Sequence, residues 1–100
     1  MKEKINEIVL RITIEFFDNS DYEYNELIDI NFPLIGDSTP LDSIGLVSII
    51  VEIEEAINDE FNVELILASE KAMSARISPF TNLKKLALFI ESELNQAHHE

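Results

Sequence analysis

From residue 44 to residue 61 the apolar residues recur at a spacing that suits an α-helix. Advancing about 100° per residue gathers Leu46, Ile49, Ile50, Ile53, Ala56, Ile57 and Phe61 into one arc. That arc is a core face, and the rest of the chain has to cover it. Three further apolar residues, Ile44, Val47 and Val51, fall outside it as a second stripe, beside which lie Ser48, Glu52, Glu55 and Asp59. A helix needs one buried stripe to hold a small domain together, so the second calls for its own explanation. Two are open: the stripe packs under the long segment before the helix, or it is a docking surface used with the charges around it.

Asp42 and Ser43, which precede the stripe, are both helix-starting residue types. Their short oxygen-bearing side chains accept from the free N–H groups of a first turn. Thr39 competes as a cap, with Pro40 then at the first helical position and Asp42 as the capping-box acid three residues on. In either register Ser43 sits at or within the first turn, near the positive end of the helix dipole, where an attached phosphodiester is electrostatically favoured.

Leu41-Asp42-Ser43-Ile44 followed by Gly45-Leu46-Val47 and an acid-edged helix resembles the acyl carrier protein family. In that family an Asp-Ser-Leu motif supplies the serine that receives 4'-phosphopantetheine. Pro33-Leu34-Ile35-Gly36 before the motif, and Ala68-Ser69-Glu70-Lys71-Ala72-Met73-Ser74 and Ser78-Pro79-Phe80-Thr81 after it, are similar to free-standing carriers rather than megasynthase modules. The likeness covers residues 1–96, leaving 97–100 as a frayed C-terminal tail. Ile44 replaces the usual leucine, Ser48 stands where many carriers have an acid, and the helix is about one turn longer than is common.

The resemblance implies an antiparallel four-helix bundle, all-α, with a long first loop and a short third helix. It implies that a phosphopantetheinyl transferase, using coenzyme A, attaches the arm at Ser43 beside Asp42. The thiol of the arm then carries acyl groups as thioesters between partner enzymes of fatty acid or secondary-metabolite biosynthesis. Ile44, Val47, Val51, Ser48, Glu52 and Glu55 would meet basic docking surfaces on loading and transferring enzymes, the carrier itself being a monomer. An acyl chain would fold back between the second and third helices, near Ile50, Ile53 and Ile66. An aminoacyl or peptidyl carrier shares every one of these motifs. A non-carrier acidic adaptor using the same stripe, with Ser43 unmodified, is the alternative from another class.

Composition narrows the chemistry. One hundred residues at 46 % hydrophobic content make one domain, able to bury about 60–70 % of its surface. With no cysteine there is no disulfide, thiolate metal site or cysteine nucleophile, so thiol chemistry has to be imported on a cofactor. A net charge of −13 argues against nucleic acid and anionic membranes. Residues 18–60 hold twelve acids and no Lys or Arg, so for the helix acids beside the apolar stripe a basic partner surface is the favoured reading. The charged start Met1–Glu7 lacks the apolar core of a signal peptide, and no later stretch approaches 18 uncharged apolar residues. A cytoplasmic, non-inserting protein is expected.

Elsewhere, Ile5, Ile8, Val9, Ile12 and Phe16 predict a first helix over residues 3–17. Residues 18–40 form a long loop pinned by Leu27, Ile28, Ile30, Phe32, Leu34 and Ile35, with a turn of helix at Asn25–Asp29. Asp18–Asp29 fails as a calcium loop because Tyr22 and Glu23 occupy positions needing a ligand and a glycine. Asn62–Leu67 alternates like a strand but has no partner strand, so an extended loop is expected. Ser69 caps a short helix over Glu70–Ala75, and Arg76–Phe80 turns the chain. Thr81 caps a last helix facing the core with Leu83, Leu86, Ala87, Ile90 and Leu94, frayed from Asn95 onward. His98-His99-Glu100 does not make a preorganised metal site. Ser43 lacks the upstream glycine of a nucleophile elbow, Leu41 standing there, and has no nearby histidine. It is read as a residue acted upon by another enzyme, in a protein that is not itself a catalyst.

Overall fold

A computed structural model describes residues 2–20, 28–35, 39, 41–67 and 80–97, apart from the side chains of Ser43 and Ala97. Among the described residues three α-helices pack together and no strand occurs: α1 (Lys2–Asp18), α2 (Ser43–Phe61) and α3 (Leu83–Ala97). Helix α1 packs against both of the others. Lys4, near the start of α1, meets Glu60, near the end of α2, at 3.6 Å.

Each helix buries the face its apolar spacing dictates. On α2, Ile49, Ile50, Ile53 and Ile57 are buried, and Leu46, Ala56 and Phe61 pack at the margin of the same core. On α3, all five expected residues, from Leu83 to Leu94, are buried. On α1 the core takes Ile5, Ile8, Val9 and Phe17, whereas Ile12 and Phe16 are only partly covered. Phe17 displaces Phe16 because its ring meets Phe32 from the loop edge-on, at 5.4 Å between centroids. Thr13 is also buried on this face. Its hydroxyl donates to the Val9 carbonyl one turn back, at 2.8 Å, so a polar group without access to water is satisfied inside its own helix.

The long connection between α1 and α2 is pinned as its apolar content requires. Phe32 and Leu34 are buried, Ile28 and Ile30 pack against the core, and Ile35 is exposed. No helical turn occurs at Ile28 or Asp29, the rest of the Asn25–Asp29 stretch lying outside the described residues with Leu27. Asp29 closes a tight turn instead. Its carboxylate accepts the Asn31 N–H at 2.9 Å and its carbonyl accepts the Phe32 N–H at 3.0 Å, the local bonding that favours Asp in turns over helices.

Beyond this turn the loop pairs with the start of α3. Pro33 faces Asn82 in a single antiparallel bridge, and the Leu34 N–H donates to the Thr81 carbonyl at 3.0 Å. The first N–H groups of a helix have no partner within it. Here the Phe32 carbonyl takes that of Leu83 at 3.1 Å and the Ile30 carbonyl that of Lys84 at 2.7 Å. Asn82 supplies the rest, its side-chain oxygen accepting from Lys85 at 2.8 Å and its carbonyl from Leu86 at 3.1 Å. The cap is therefore Asn82 rather than Thr81: pairing with the loop holds Thr81 out of the helix and delays its start.

At the other end α3 runs to Ala97, so Asn95 and Gln96 are helical rather than frayed. Leu94, fully buried, anchors that last turn. The expected short helix over Glu70–Ala75 with its Ser69 cap, the turn from Arg76 to Pro79 and the His98-His99-Glu100 tail lie outside the described residues. Phe80, which ends that turn, is buried.

Candidate functional site

The cap of α2 decides where Ser43 lies. Asp42 has an extended backbone (φ −92°, ψ −177°), and its carboxylate accepts the Gly45 N–H at 2.7 Å. Its carbonyl accepts from Leu46 at 2.9 Å. Asp42 is thus the cap, and Ser43 is the first helical residue. The competing start at Thr39 is not used, since the Thr39 hydroxyl accepts the Leu41 N–H at 3.2 Å. A carboxylate is the better cap of the two, and this register also packs Leu41 against the core.

Ser43 is flanked on both sides by exposed residues, Asp42 and Ile44. Behind it the second apolar stripe stands clear of the core: Ile44 is 78 % exposed, Val47 47 % and Val51 39 %. Ser48, Glu52, Glu55 and Asp59 are exposed along the same helix. Among the described residues nothing buries this stripe as the core face of the same helix is buried. Among the described residues no ion pair involves Glu52, Glu55 or Asp59, so their charge faces solvent.

These features bear on a phosphodiester at Ser43. The N–H groups of Ser43 and Ile44 lie at the open end of α2, where the helix itself provides no acceptors, and the dipole favours negative charge there. Asp42 occupies the Gly45 N–H. The residues present fit such a group. No trio of His, Asp or Glu gathers among the described residues to hold a metal, and no described helix is long and apolar enough to cross a membrane.

The C-terminal half of α2 carries a clasp that the apolar spacing does not reveal. Asn62 turns the chain in the left-handed region (φ 54°, ψ 51°), and the Val63 N–H closes back on the Asn58 carbonyl at 3.2 Å. The chain then runs extended beside the helix that it has just left. The Asn58 side chain grips Leu65 at both backbone groups, donating to its carbonyl at 3.1 Å and accepting its N–H at 2.8 Å. Glu54 accepts the Leu67 N–H at 2.7 Å. Two helix side chains thus stand in for the missing partner strand. Leu67 is buried, whereas Ile66 is 73 % exposed and does not line the interior beside Ile50 and Ile53. The alternation explains this: with Leu65 and Leu67 turned to the helix, the residue between them points away. The one signal for the clasp is an asparagine at position 58, a residue type disfavoured inside helices unless its side chain bonds backbone elsewhere.

No protein-family model, curated protein or solved structure matches this chain.

Proposed function

We propose that the chain is an acyl carrier protein, modified at Ser43 with 4'-phosphopantetheine by a phosphopantetheinyl transferase. The observation that carries this reading is the start of α2: Asp42 caps the helix, Ser43 opens it, and an exposed Ile44, Val47 and Val51 stripe edged by carboxylates continues from it. When bound, the arm supplies the terminal thiol on which an acyl group is carried as a thioester. The chain's own residues do the rest. Asp42 fixes the register of the first turn, and the helix end offers its dipole to the negative charge. Glu52 and Glu55 draw in basic partner surfaces, while Ser48 and the stripe fix orientation. Exposed ion pairs contribute about 0–1 kcal/mol each, so docking of this kind is fast, weak and salt-sensitive, as shuttling between enzymes requires. A short helix over Glu70–Ala75 completes an antiparallel four-helix bundle in this reading.

The test is intact mass after incubation with coenzyme A, magnesium ion and a broad-specificity phosphopantetheinyl transferase, with Ser43→Ala as control. One added phosphopantetheine in the wild type and none in the variant is the expected result. No gain on the folded protein, with the transferase active on a control carrier, favours an unmodified adaptor that uses the same stripe.

A further inference from the structure

A second site lies away from Ser43, in a cleft of about 220 Å³ between the first turns of α1, the loop at Ile30 and the first half of α3. Its apolar lining is Ile30, Ala87 and Leu88. Around it stand Lys2, Lys84 and Glu91. Among the described residues neither lysine is in an ion pair, although the chain carries −13 and acids are abundant. Two lysines lining one partly apolar cleft, neither in an ion pair among the described residues, leave room for a negative ligand there.

The cleft is held in shape by backbone. The Lys84 N–H bonds the Ile30 carbonyl at 2.7 Å and Leu83 bonds Phe32 at 3.1 Å, which locks loop and helix together at the cleft. Asn31, also lining it, is fixed by the Asp29 turn. The first-turn N–H groups of α3 are thereby occupied, so an anion would be gripped by the lysine side chains. Two charges of one sign against one of the other leave the cleft at +1, which matches a monoanion rather than a dianion. The volume falls below the about 300–1,000 Å³ of sites for drug-sized ligands. We propose that this cleft binds a small monocarboxylate with a short aliphatic body, the carboxylate meeting Lys2 and Lys84 and the body lying on Ile30, Ala87 and Leu88. Lys4 of α1 contacts Glu60 near the end of α2, a helix about 28 Å long that Ser43 begins. No described residue of α2 lines the cleft, so the proposal does not rest on the carrier reading.

The probe is hexanoate, titrated into the 15N-labelled full chain and followed through amide shifts. Saturable shifts centred on Asn31, Lys84, Ala87 and Leu88 are expected, with acetate and hexanol at least about tenfold weaker because each lacks one half of the recognition. The Lys2→Gln/Lys84→Gln double variant should weaken hexanoate about tenfold while its thermal melt stays unchanged, both lysines being exposed. Absence of saturation, equal binding in the double variant, or shifts centred on Ile50 and Ile53 would each overturn the proposal. The last result would place the aliphatic chain inside the helical core instead.

Discussion

At the scale of single residues, asparagine does three different jobs within α2, α3 and their flanks, each set by what the backbone around it lacks. Asn82 fills the open end of a helix, Asn62 takes a left-handed turn, and Asn58 completes the hydrogen bonding of a neighbouring extended segment. They should respond differently to substitution. Asn58→Ala removes two part-buried hydrogen bonds and leaves both Leu65 backbone groups to find new partners, so it should cost about 2 kcal/mol. Asn62→Gly should be neutral within about half a kcal/mol, because glycine adopts the same φ without steric penalty. Urea unfolding of the two variants against wild type measures both, and equal effects would remove the special role given to Asn58. Among the cap residues, the Asp42 start could be read in advance only as one of two options. Thr39 and Asp42 are both cap residue types, and the preference for the carboxylate is reinforced by packing at Leu41, which no local pattern encodes.

At the scale of elements, the three helices were legible because apolar spacing is a property of the segment itself. What was not legible depends on residues far away in the chain. The start of α3 moved from Thr81 to Asn82 because a loop carried Phe32 and Ile30 carbonyls to it. Phe17 replaced Phe16 because Phe32 arrived beside it. The extended run after α2 could be foreseen from its alternation, yet its partners, Glu54 and Asn58, look like ordinary surface positions of an amphipathic helix. The exposed stripe on α2 was readable for the same reason as the core face, since both are angular facts about one helix. The clasp makes a sharp prediction for hydrogen exchange. The amides of Leu65 and Leu67 are bonded to helix side chains, whereas among the described residues no hydrogen bond holds those of Glu64 and Ile66. Slow and fast exchange should therefore alternate along these four residues, and uniform exchange would show that the clasp is open in solution.

At the scale of the whole molecule, negative charge is the feature that the fold leaves least compensated. Among the described residues Lys4–Glu60 is the one ion pair, half exposed at both ends, against a net charge of −13. Repulsion of this kind is relieved by screening, since the Debye length falls from about 30 Å at 0.01 M salt to about 10 Å at 0.1 M. Relief of about 1 kcal/mol would raise the melting temperature of a domain this size by roughly 4–8 °C. Millimolar magnesium should raise it as well, by screening. A melt that ignores both salts would contradict dense carboxylate packing along residues 52–60. The pairing of Ile30–Leu34 with Thr81–Lys84 has a different consequence, one of order in time. It joins positions about fifty residues apart, and closing such a loop costs about 3–4 kcal/mol of chain entropy before any contact offsets it. During synthesis the carbonyls of Ile30 and Phe32 are made long before the amides that they receive. They stay on water until the last fifth of the chain emerges, so docking of α3 becomes the step that commits the chain to its fold.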